Sequence, residues 1–286
     1  MTQFDSESTV DEIVSAIADT SENVREGLVE DRTVSAETNP SGETQMAADI
    51  RADELFEDVI LSIDGVGTYA SEERADPIER DDGEYHVAMD PLDGSSNLRS
   101  NNAMGTIFGV YTERPPALGR DLVASGFVLY GPITTMIVAR DGEVTDYLLE
   151  GDEPQVLAED VTLPDDPNIY GFGGDVPNWP DDFLAFAREI EQELKLRYGG
   201  AMIADINQLL TYGGIFAYPA LEGKPDSKLR LQFEGNPIAH VFEAAGGASS
   251  TGDGSILDAE PESLHQCAPM HVGNVALIDR LEAALD

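Results

Sequence analysis

The chain has 286 residues, 41% of them hydrophobic and 7% aromatic, so it is long enough to bury a substantial core in one large domain or two smaller ones. Its 16 Lys and Arg residues face 56 Asp and Glu residues, and the net charge of -40 leaves no basic stripe that would neutralise the phosphates of a nucleic acid. Because the Debye length falls to roughly 3 Å at molar salt, such acidity is typical of a cytoplasmic protein in a halophile that accumulates salt, and it excludes nucleic acid as a partner.

Residues 1–8 are polar and acidic, unlike a signal peptide, and no uncharged apolar run approaches the length of about 18 residues that predicts a membrane span. The single cysteine, Cys267, excludes an intrachain disulfide.

The N-terminal half is predicted to begin with helices and to continue as strands. Helical spacing predicts an opening helix through Val10, Ile13, Val14, Ile17 and Ala18. Further along, the sequence predicts a polar loop at residues 31–43, a helix at 46–61 and strands at 66–70, 85–89, 105–111, 124–130 and 134–138.

The C-terminal half also mixes helices with strands. Residues 148–168 hold several acidic residues and prolines and predict a boundary, which divides the chain into residues 1–160 and 161–286. Asn236-Pro237 predicts a helix start, with Asn as N-cap and Pro at the first helical position. The other predicted elements are helices at residues 183–194 and 201–211 and strands at 214–218 and 229–233. Because helices and strands alternate throughout, the predicted fold class is α/β with two sheet-bearing halves.

The most informative segment is residues 90–97, which read Asp-Pro-Leu-Asp-Gly-Ser-Ser-Asn and follow the predicted strand at 85–89. Asp90 and Asp93 supply carboxylate oxygens, which suit a hard cation such as Mg²⁺. Gly94 then turns the chain into hydroxyls and a helix start, whose free N–H groups suit a phosphate. The same residue types also form ordinary surface turns. The complete octapeptide favours a metal-assisted phosphate site over such a turn.

Acidic residues recur where other predicted elements end or begin. Because ligands gather at the carboxyl ends of strands in α/β sheets, side chains at those ends are expected to meet beside the octapeptide. Taken singly, each acid is better explained as a solvated surface carboxylate or a salt-bridge partner, and only their joint placement favours a metal site. The candidates are Glu72 and Glu73 after the strand at 66–70, Glu234 after the strand at 229–233, Glu43 in the loop at 39–43, and Asp49 early in the following helix.

Such a cluster predicts a specific chemistry. Divalent ions bridged by carboxylates hold the oxygens of a phosphate, neutralise developing charge and lower the pKa of a bound water. A neighbouring carboxylate orients that water for in-line attack and accepts its proton. The residues by themselves therefore point to metal-dependent phosphate hydrolysis.

Several further motifs occur in the order typical of one enzyme family. They are Gly105-Thr106-Ile107-Phe108-Gly109, Tyr212-Gly213-Gly214-Ile215-Phe216-Ala217-Tyr218-Pro219, Lys228-Leu229-Arg230-Leu231-Gln232-Phe233-Glu234 with Asn236-Pro237, Glu243-Ala244-Ala245-Gly246-Gly247, and Leu264-His265-Gln266-Cys267-Ala268-Pro269. With the octapeptide they make residues 39–274 resemble the class I fructose-1,6-bisphosphatases. The Asp-Pro-Leu-Asp-Gly element alone is typical of the wider lithium-sensitive phosphatase superfamily.

The resemblance implies a layered α-β-α-β-α sugar phosphatase fold and hydrolysis of the 1-phosphate of fructose 1,6-bisphosphate in gluconeogenesis. It implies that residues 1–160 carry most metal ligands and residues 161–286 most of the sugar-phosphate pocket. About two or three Mg²⁺ ions per subunit are implied, with Mn²⁺ as an alternative. The implied ligands are Glu72, Asp90, the Leu92 carbonyl and Glu234 for one ion, and Glu73, Asp93 and Glu43 for the others.

The same resemblance implies the roles of the remaining residues. The implied catalytic carboxylates are Asp49, Glu73 and Glu43, of which Asp49 and Glu73 polarise the attacking water. The implied substrate contacts are Asp93, Gly94, Ser95 and Ser96 at the 1-phosphate and sugar hydroxyls, and Tyr198, Tyr218 and Lys228 at the 6-phosphate. Arg197 reaches the 6-phosphate from a neighbouring subunit, so the resemblance implies a homotetramer, or at least a dimer.

The chain departs from the family pattern in three places. Glu84-Tyr85 replaces the Lys-Tyr pair that meets the AMP phosphate in AMP-regulated members, so AMP inhibition is not expected. Met46-Ala47 stands where two lysines are typical, so closing of the mobile loop is expected to depend less on charge. In residues 171–175 the family's Asn and Tyr ligands to the 6-phosphate are not recognisable.

Other functions remain open on the sequence. An inositol monophosphatase or a nucleotide 3′-phosphatase would share the fold, although Val241-Phe242-Glu243-Ala244-Ala245-Gly246 replaces the Trp-Asp that is typical before Ala-Gly in those enzymes. Sedoheptulose bisphosphate is an alternative substrate. A non-catalytic acidic cation-binding protein would explain the charge but not the ordered motifs.

Overall fold

The computed structural model describes residues 8–29, 34–38, 44–80, 83–151, 153–224 and 226–285. In these ranges the chain forms six α-helices and fifteen strands, and none of those helices has the length and apolar character that crossing a bilayer requires. The helices are α1 (Thr9–Gly27), α2 (Ala47–Ile60), α3 (Asp181–Glu193), α4 (Met202–Tyr212), α5 (Asn236–Ala244) and α6 (Val275–Leu285). The strands are β1 (Val34–Thr38), β2 (Thr44–Met46), β3 (Val66–Ser71), β4 (Ile78–Glu79), β5 (Tyr85–Asp93), β6 (Met104–Tyr111), β7 (Leu122–Tyr130), β8 (Thr134–Arg140), β9 (Glu143–Leu148), β10 (Gln155–Ala158), β11 (Ile169–Phe172), β12 (Lys195–Leu196), β13 (Gly214–Tyr218), β14 (Ala248–Ser250) and β15 (Met270–Gly273).

Eight strands form the larger sheet, in the order β10-β9-β8-β7-β6-β5-β3-β4. From β5 to β10 each strand pairs antiparallel with the next, whereas β3 and β5 pair in parallel. β5 and β6 are buried along almost their whole length, because helices cover both faces of the sheet. The carboxyl ends of the parallel pair β3 and β5 lie side by side, and this brings the acids after β3 close to those at the end of β5.

Five strands form the second sheet, in the order β12-β11-β13-β15-β14. Helices α1 and α2 pack on one face of the larger sheet, and α4 and α5 fill the space between the two sheets. Helices α3 and α6 cover the outer face of the second sheet, where their side chains meet Phe172 and Ile215. The resulting order of layers, α-β-α-β-α, confirms the predicted fold class.

Helix α1 illustrates how the sequence encodes these layers. Ser8 caps its N-terminus by accepting a hydrogen bond from the Asp11 N–H. Ile13 and Ile17 lie on the predicted apolar face and are fully buried against the sheet. Arg25 occupies the last turn, where a cation is favourable to the helix dipole.

The two halves of the chain share one core. The last strand of the larger sheet ends at Ala158, and the first strand of the second sheet begins at Ile169. Helices α4 and α5 follow this point in sequence, yet they pack against both sheets in a single hydrophobic cluster. The division at residues 160 and 161, with its separation of metal ligands from the sugar-phosphate pocket, stays a prediction.

Three predictions of local structure are wrong. Residues 229–233 do not form a strand, because Leu231–Gly235 is a single π-helical turn that runs directly into α5. Asn236 is consequently the first residue of α5 and not its N-cap, which is Gly235. The predicted loop at residues 31–43 contains β1, which pairs antiparallel with β2.

Candidate active site

A cleft of about 310 Å³ opens between the end of β5, the start of α4 and the π-helical turn. Among the described residues it brings together every predicted metal-binding or catalytic residue, namely Asp49, Glu72, Glu73, Asp90, Leu92, Asp93 and Glu234. It is also lined by the predicted substrate-binding residues Gly94, Ser95, Ser96, Tyr198, Tyr218 and Lys228. Arg197 does not line it. Glu43 lies outside the described residues.

A β-bulge in β5 turns two candidate ligands toward the cleft. In the pairing with β6, Asp90 lies opposite Ile107 and Asp93 opposite Gly105, so two residues of β5 face only Thr106. In a regular strand, side chains three positions apart point to opposite faces of the sheet. The extra residue breaks this alternation, and Asp90 and Asp93 therefore both line the cleft. The sequence analysis placed these acids at a strand end and did not predict the bulge.

The tight turn after β5 depends on Gly94. Its φ of 76° lies in the left-handed region, and a Cβ at this position would lie 2.2 Å from the Cβ of Ala201. The next residue, Ser95, donates from Oγ to Asp49 Oδ2 at 3.2 Å, and the Met46 N–H donates to the same oxygen at 2.6 Å. The turn therefore holds the Asp49 carboxylate in one orientation at the edge of the cleft.

Three carboxylates converge in the cleft. Glu72, Asp90 and Glu234 each offer an oxygen, and the three oxygens lie within 4.8 Å of one another. All three side chains are buried. Burial raises the pKa of Asp90 well above its usual value, and neighbouring carboxylates, that of Glu72 foremost, raise it further. Oxygen donors at this spacing fit a hard divalent cation such as Mg²⁺.

Two further pKa shifts describe the same electrostatic environment. Burial raises the pKa of Asp93 to about 6, although the Ile203 N–H donates to its Oδ2 at 2.8 Å. Burial raises the pKa of Glu234 to about 7 against the opposing effect of Arg230. Because ionised carboxylates repel one another in a buried site, the cluster is prepared to receive positive charge.

Arg230 is a buried cation to which the sequence analysis gave no role. Its Nη1 lies 2.8 Å from Glu72 Oε1 and 3.9 Å from Glu234 Oε2. Its backbone N–H donates to Glu234 Oε2 at 2.5 Å. Arg230 therefore ties the end of β3 to the π-helical turn and offsets part of the negative charge. The sequence signal that would have identified it is an Arg within an apolar run, four residues before a candidate ligand.

A hydrogen-bond network supports the turn that carries Glu72. Arg74 Nε donates to Asp53 Oδ2 at 2.6 Å, and the Tyr69 hydroxyl donates to Asp53 Oδ1 at 3.0 Å. His265 Nε2 lies 2.8 Å from the Arg74 carbonyl and must donate to it, because a carbonyl only accepts. Helix α2, strand β3 and the segment at residues 264–269 thus fix this turn together.

The C-terminal half contributes aromatic and basic side chains to the cleft. Tyr198, Tyr218 and Lys228, the residues predicted to contact the 6-phosphate, line it. Gly173 makes room for one of them, because a Cβ at this position would lie 2.2 Å from Cδ2 of the Tyr218 ring. Residues 171–175 therefore support the pocket through Tyr218 rather than by lining it, which the sequence pattern did not reveal.

Asp205 also lines the cleft and was not predicted. It is buried, and its Oδ1 accepts a hydrogen bond from the Gly199 N–H at 2.7 Å. Burial raises the pKa of Asp205 to about 7. The Gly199 carbonyl accepts from Asn97 Nδ2 at 3.0 Å and from Asn102 Nδ2 at 2.8 Å. These bonds join the loop that carries Tyr198 to the last residue of the octapeptide.

Arg197 lies at the edge of the second sheet, directly after β12. Its guanidinium lies 5.9 Å from the centroid of the Tyr212 ring, and Nη1 donates to Gln208 Oε1 at 3.3 Å. The neighbouring side chains of Leu196 and Tyr198 are 62% and 52% exposed. An edge strand with exposed apolar side chains is a surface suited to association.

Comparison with known proteins assigns both halves to one family. The family description "Fructose-1-6-bisphosphatase, N-terminal domain" matches residues 7–157, and "Fructose-1-6-bisphosphatase, C-terminal domain" matches residues 163–286. Fructose-1,6-bisphosphatase class 1 1 of Haloarcula marismortui is 57% identical over 282 residues, which cover 99% of this chain and 97% of that protein. Fructose-1,6-bisphosphatase class 1 of Natronomonas pharaonis is 59% identical over 278 residues, which cover 96% and 98%. The crystal structure of Leishmania major fructose-1,6-bisphosphatase in holo form matches with a TM-score of 0.91 at 26% identity, covering 98% of this chain and 95% of that chain.

Proposed function

The chain belongs to the fructose-1,6-bisphosphatase family and is an enzyme of that type, and from this premise we propose that it hydrolyses the 1-phosphate of fructose 1,6-bisphosphate, with Mg²⁺, as a step of gluconeogenesis in the cytoplasm. The observation that carries the proposal is a single cleft in which Glu72, Asp90 and Glu234 converge and which Tyr218 and Lys228 also line. A cation-binding cluster beside a basic and aromatic pocket suits a substrate with two phosphates.

The candidate ligands fit Mg²⁺ by their donor chemistry. All are carboxylate or carbonyl oxygens, which Mn²⁺ also accepts. When bound, such ions supply positive charge to the phosphate and lower the pKa of a bound water. About two or three ions per subunit are proposed, held by Glu72, Asp90, the Leu92 carbonyl and Glu234 in one site, and by Glu73, Asp93 and Glu43, which lies outside the described residues, in the others.

Three carboxylates are proposed to act on the attacking water. Asp49 and Glu73 would orient it and accept its proton. Glu43, which lies outside the described residues, is proposed as the third catalytic carboxylate. The bonds from Ser95 and Met46 to Asp49 support this role, because they fix the carboxylate before the substrate arrives.

The remaining lining residues are proposed to hold the substrate. Lys228 would bind the 6-phosphate as a point charge, and tyrosine hydroxyls would add directional hydrogen bonds. The turn at Gly94 brings backbone and hydroxyl donors close to the candidate metal ligands, which supports contact with the 1-phosphate. The proposed contacts are Asp93, Gly94, Ser95 and Ser96 at the 1-phosphate and sugar hydroxyls, and Tyr198, Tyr218 and Lys228 at the 6-phosphate.

Phosphate release in molar KCl with Mg²⁺ tests the proposed function. We expect kcat/KM for fructose 1,6-bisphosphate to exceed that for inositol 1-phosphate by more than about 10-fold, since a site built around a charged hydrogen bond to the second phosphate loses about 1.5–3 kcal/mol without it. The kcat/KM for sedoheptulose 1,7-bisphosphate, compared with that for fructose 1,6-bisphosphate, measures how strongly the pocket selects for the sugar. A faster reaction with inositol 1-phosphate would contradict the fructose assignment.

Self-association through the Arg197 edge is proposed as part of the active enzyme, as a homotetramer or at least a dimer. Arg197 lies outside the cleft of its own chain, on an exposed apolar edge. A side chain placed in this way is available to the cleft of a second copy across a symmetric interface. Its guanidinium would then bind the 6-phosphate, which suits its planar set of donors.

A hybrid of two defective chains tests this sharing. We expect Arg197→Ala alone to lower kcat/KM by about 10-fold or more, since a charged hydrogen bond contributes about 1.5–3 kcal/mol, and Asp90→Asn alone to be almost inactive. When both chains are co-expressed with different tags, a hybrid dimer contains one site with Asp90 from one chain and Arg197 from the other. Activity of purified hybrids well above that of either parent is expected. Hybrids no more active than the Arg197→Ala parent would show that Arg197 does not act across subunits.

The acidic composition is proposed to be an adaptation to molar salt in the cytoplasm. The net charge of -40 is spread along the chain rather than gathered in a tail. The relatives from Haloarcula marismortui and Natronomonas pharaonis support this reading. Screening of the charge at molar KCl is the physical reason to assay the enzyme there.

A further inference from the structure

The bulge in β5 is held from behind by two hydroxyls that do not line the cleft. Thr106 Oγ1 lies 2.8 Å from the Pro91 carbonyl and 2.8 Å from the Tyr130 hydroxyl. Thr106 is fully buried, and Tyr130 is 6% exposed. Tyr130 belongs to the core that packs under α1 and α2, so the pair approaches the bulge from the face of the sheet that these helices cover.

The protons of this pair have a single consistent arrangement. The Pro91 carbonyl only accepts, so Thr106 must donate its one hydroxyl proton to that carbonyl. Thr106 therefore accepts from Tyr130, which is the donor of the second bond. Burial raises the pKa of Tyr130 to about 12, so the phenol keeps the proton that it donates.

The bonds continue into the cleft through one peptide unit. The Pro91 carbonyl and the Leu92 N–H belong to the same planar peptide group, so fixing the carbonyl also fixes the N–H. That N–H donates to Asp90 Oδ1 at 3.0 Å. A continuous path thus runs from Tyr130 through Thr106 and the peptide group to the carboxylate of Asp90, and each bond polarises the next.

The hydrogen bond from Thr106 replaces a backbone hydrogen bond that the bulge removes from the sheet. A bulge leaves one residue outside the regular ladder, and proline has no N–H to contribute to it. The Thr106 side chain, which lies opposite the extra residue, satisfies the Pro91 carbonyl instead of a backbone partner. A valine at this position would have nearly the same shape but would leave a buried carbonyl without this donor.

We propose that Thr106 and Tyr130 are positioning residues for the candidate metal site: their hydroxyls set the peptide group of the bulge that orients Asp90 toward the cleft and places Leu92 and Asp93 beside it. The inference rests on the proposed metal site. It assigns a task to two residues whose side chains do not line the cleft.

Mn²⁺ binding without substrate tests the inference separately from activity. Free Mn²⁺ is measured by electron paramagnetic resonance in molar KCl. The Mn²⁺ sites that the Asp90→Asn variant loses are assigned to the cleft, which distinguishes them from Mn²⁺ bound by other acidic residues. We expect Thr106→Val to weaken Mn²⁺ binding at these sites by about 10-fold, the lower end of the effect of removing a partner behind a metal ligand. Thr106→Ser, which keeps the hydroxyl, should bind as the wild type does, and Tyr130→Phe should lie between them.

Thr68→Val is the matched control, because Thr68 is buried on β3, which pairs with β5 on the side opposite β6, and bonds to His86 at 2.9 Å, away from the bulge. Thermal unfolding is recorded for every variant, and a Thr68→Val protein with unchanged Mn²⁺ affinity shows that loss of a buried hydroxyl alone has no such effect. Thr106→Val and Tyr130→Phe proteins that both bind Mn²⁺ as tightly as the wild type would overturn the inference while the metal site stands. A wild-type protein with no Mn²⁺ site sensitive to Asp90→Asn would overturn the proposed metal site itself.

Discussion

Replacing Asp90 by Asn is expected to lower kcat/KM for fructose 1,6-bisphosphate by more than about 100-fold, because even partners behind a metal ligand are worth about 10–100-fold. The same substitution is expected to stabilise the metal-free protein increasingly as the pH rises above the ordinary pKa of an aspartate. Asp90 is buried beside Glu72 and Glu234, whose charges oppose its ionisation. Asn keeps an oxygen that can accept the Leu92 N–H, which the native carboxylate accepts at 3.0 Å.

The pH dependence of this stabilisation follows from the direction of the pKa shift. In the folded protein the pKa of Asp90 lies well above 3.8, the value taken for an unperturbed Asp. Between the unfolded and folded pKa values the folded state binds more protons, so the free energy of unfolding falls as pH rises and the loss is complete above the folded pKa. Asn carries no such proton. The advantage of the variant should therefore be smallest near pH 4 and larger at pH 8.

Denaturant unfolding in molar KCl with a chelator, at both pH values, measures this difference, and phosphate release measures the activity. Asp253→Asn is the control, since Asp253 is an exposed loop residue whose substitution removes the same charge from the surface. Added Mg²⁺ should stabilise the wild type more than Asp90→Asn, because binding to the folded state alone raises its stability. An active Asp90→Asn enzyme would contradict the assignment of this residue to the metal site.

Replacing Lys228 by Ala is expected to raise KM for fructose 1,6-bisphosphate and to lower kcat/KM by about 10–100-fold. The reason is the loss of a charged hydrogen bond to the 6-phosphate, which is worth about 1.5–3 kcal/mol. The chemistry takes place at the other phosphate, so kcat at saturation should change much less. Steady-state kinetics over a wide range of substrate concentration separates the two constants.

Two comparisons make this result specific. Lys224→Ala removes an exposed lysine four residues away that does not line the cleft, and it should leave both constants unchanged. Fructose 1-phosphate lacks the 6-phosphate, so Lys228→Ala should hydrolyse it as fast as the wild type does. An equal loss on both substrates would mean that Lys228 acts on the reacting phosphate or on the metal site instead.

The segment around Glu234 shows where sequence patterns fail. Its alternating apolar residues predict a strand, but its β-type pairing is limited to a single antiparallel bridge between Arg230 and Cys267. In that bridge the Leu231 N–H donates to the Gln266 carbonyl and the Ala268 N–H to the Leu229 carbonyl. The Glu234 side chain then accepts the Arg230 N–H and stabilises a π-helical turn. Alternation is typical of a strand with one exposed face, but all of residues 229–233 are buried, and the pattern does not report which partner satisfies the backbone.

The sequence by itself determined the family and the layered α/β class, because these depend on local motifs and on the alternation of helices and strands. The roles that it proposed for the site residues stay predictions, although the described ones, apart from Arg197, line one cleft. The tertiary structure alone decided how those residues meet. The bulge at Asp90, the ion pair of Arg230 with Glu72 and the bond from Thr106 to Pro91 each join segments that are distant in sequence. Such contacts depend on the packing of sheets and helices around a shared core, and no local pattern in the chain encodes them.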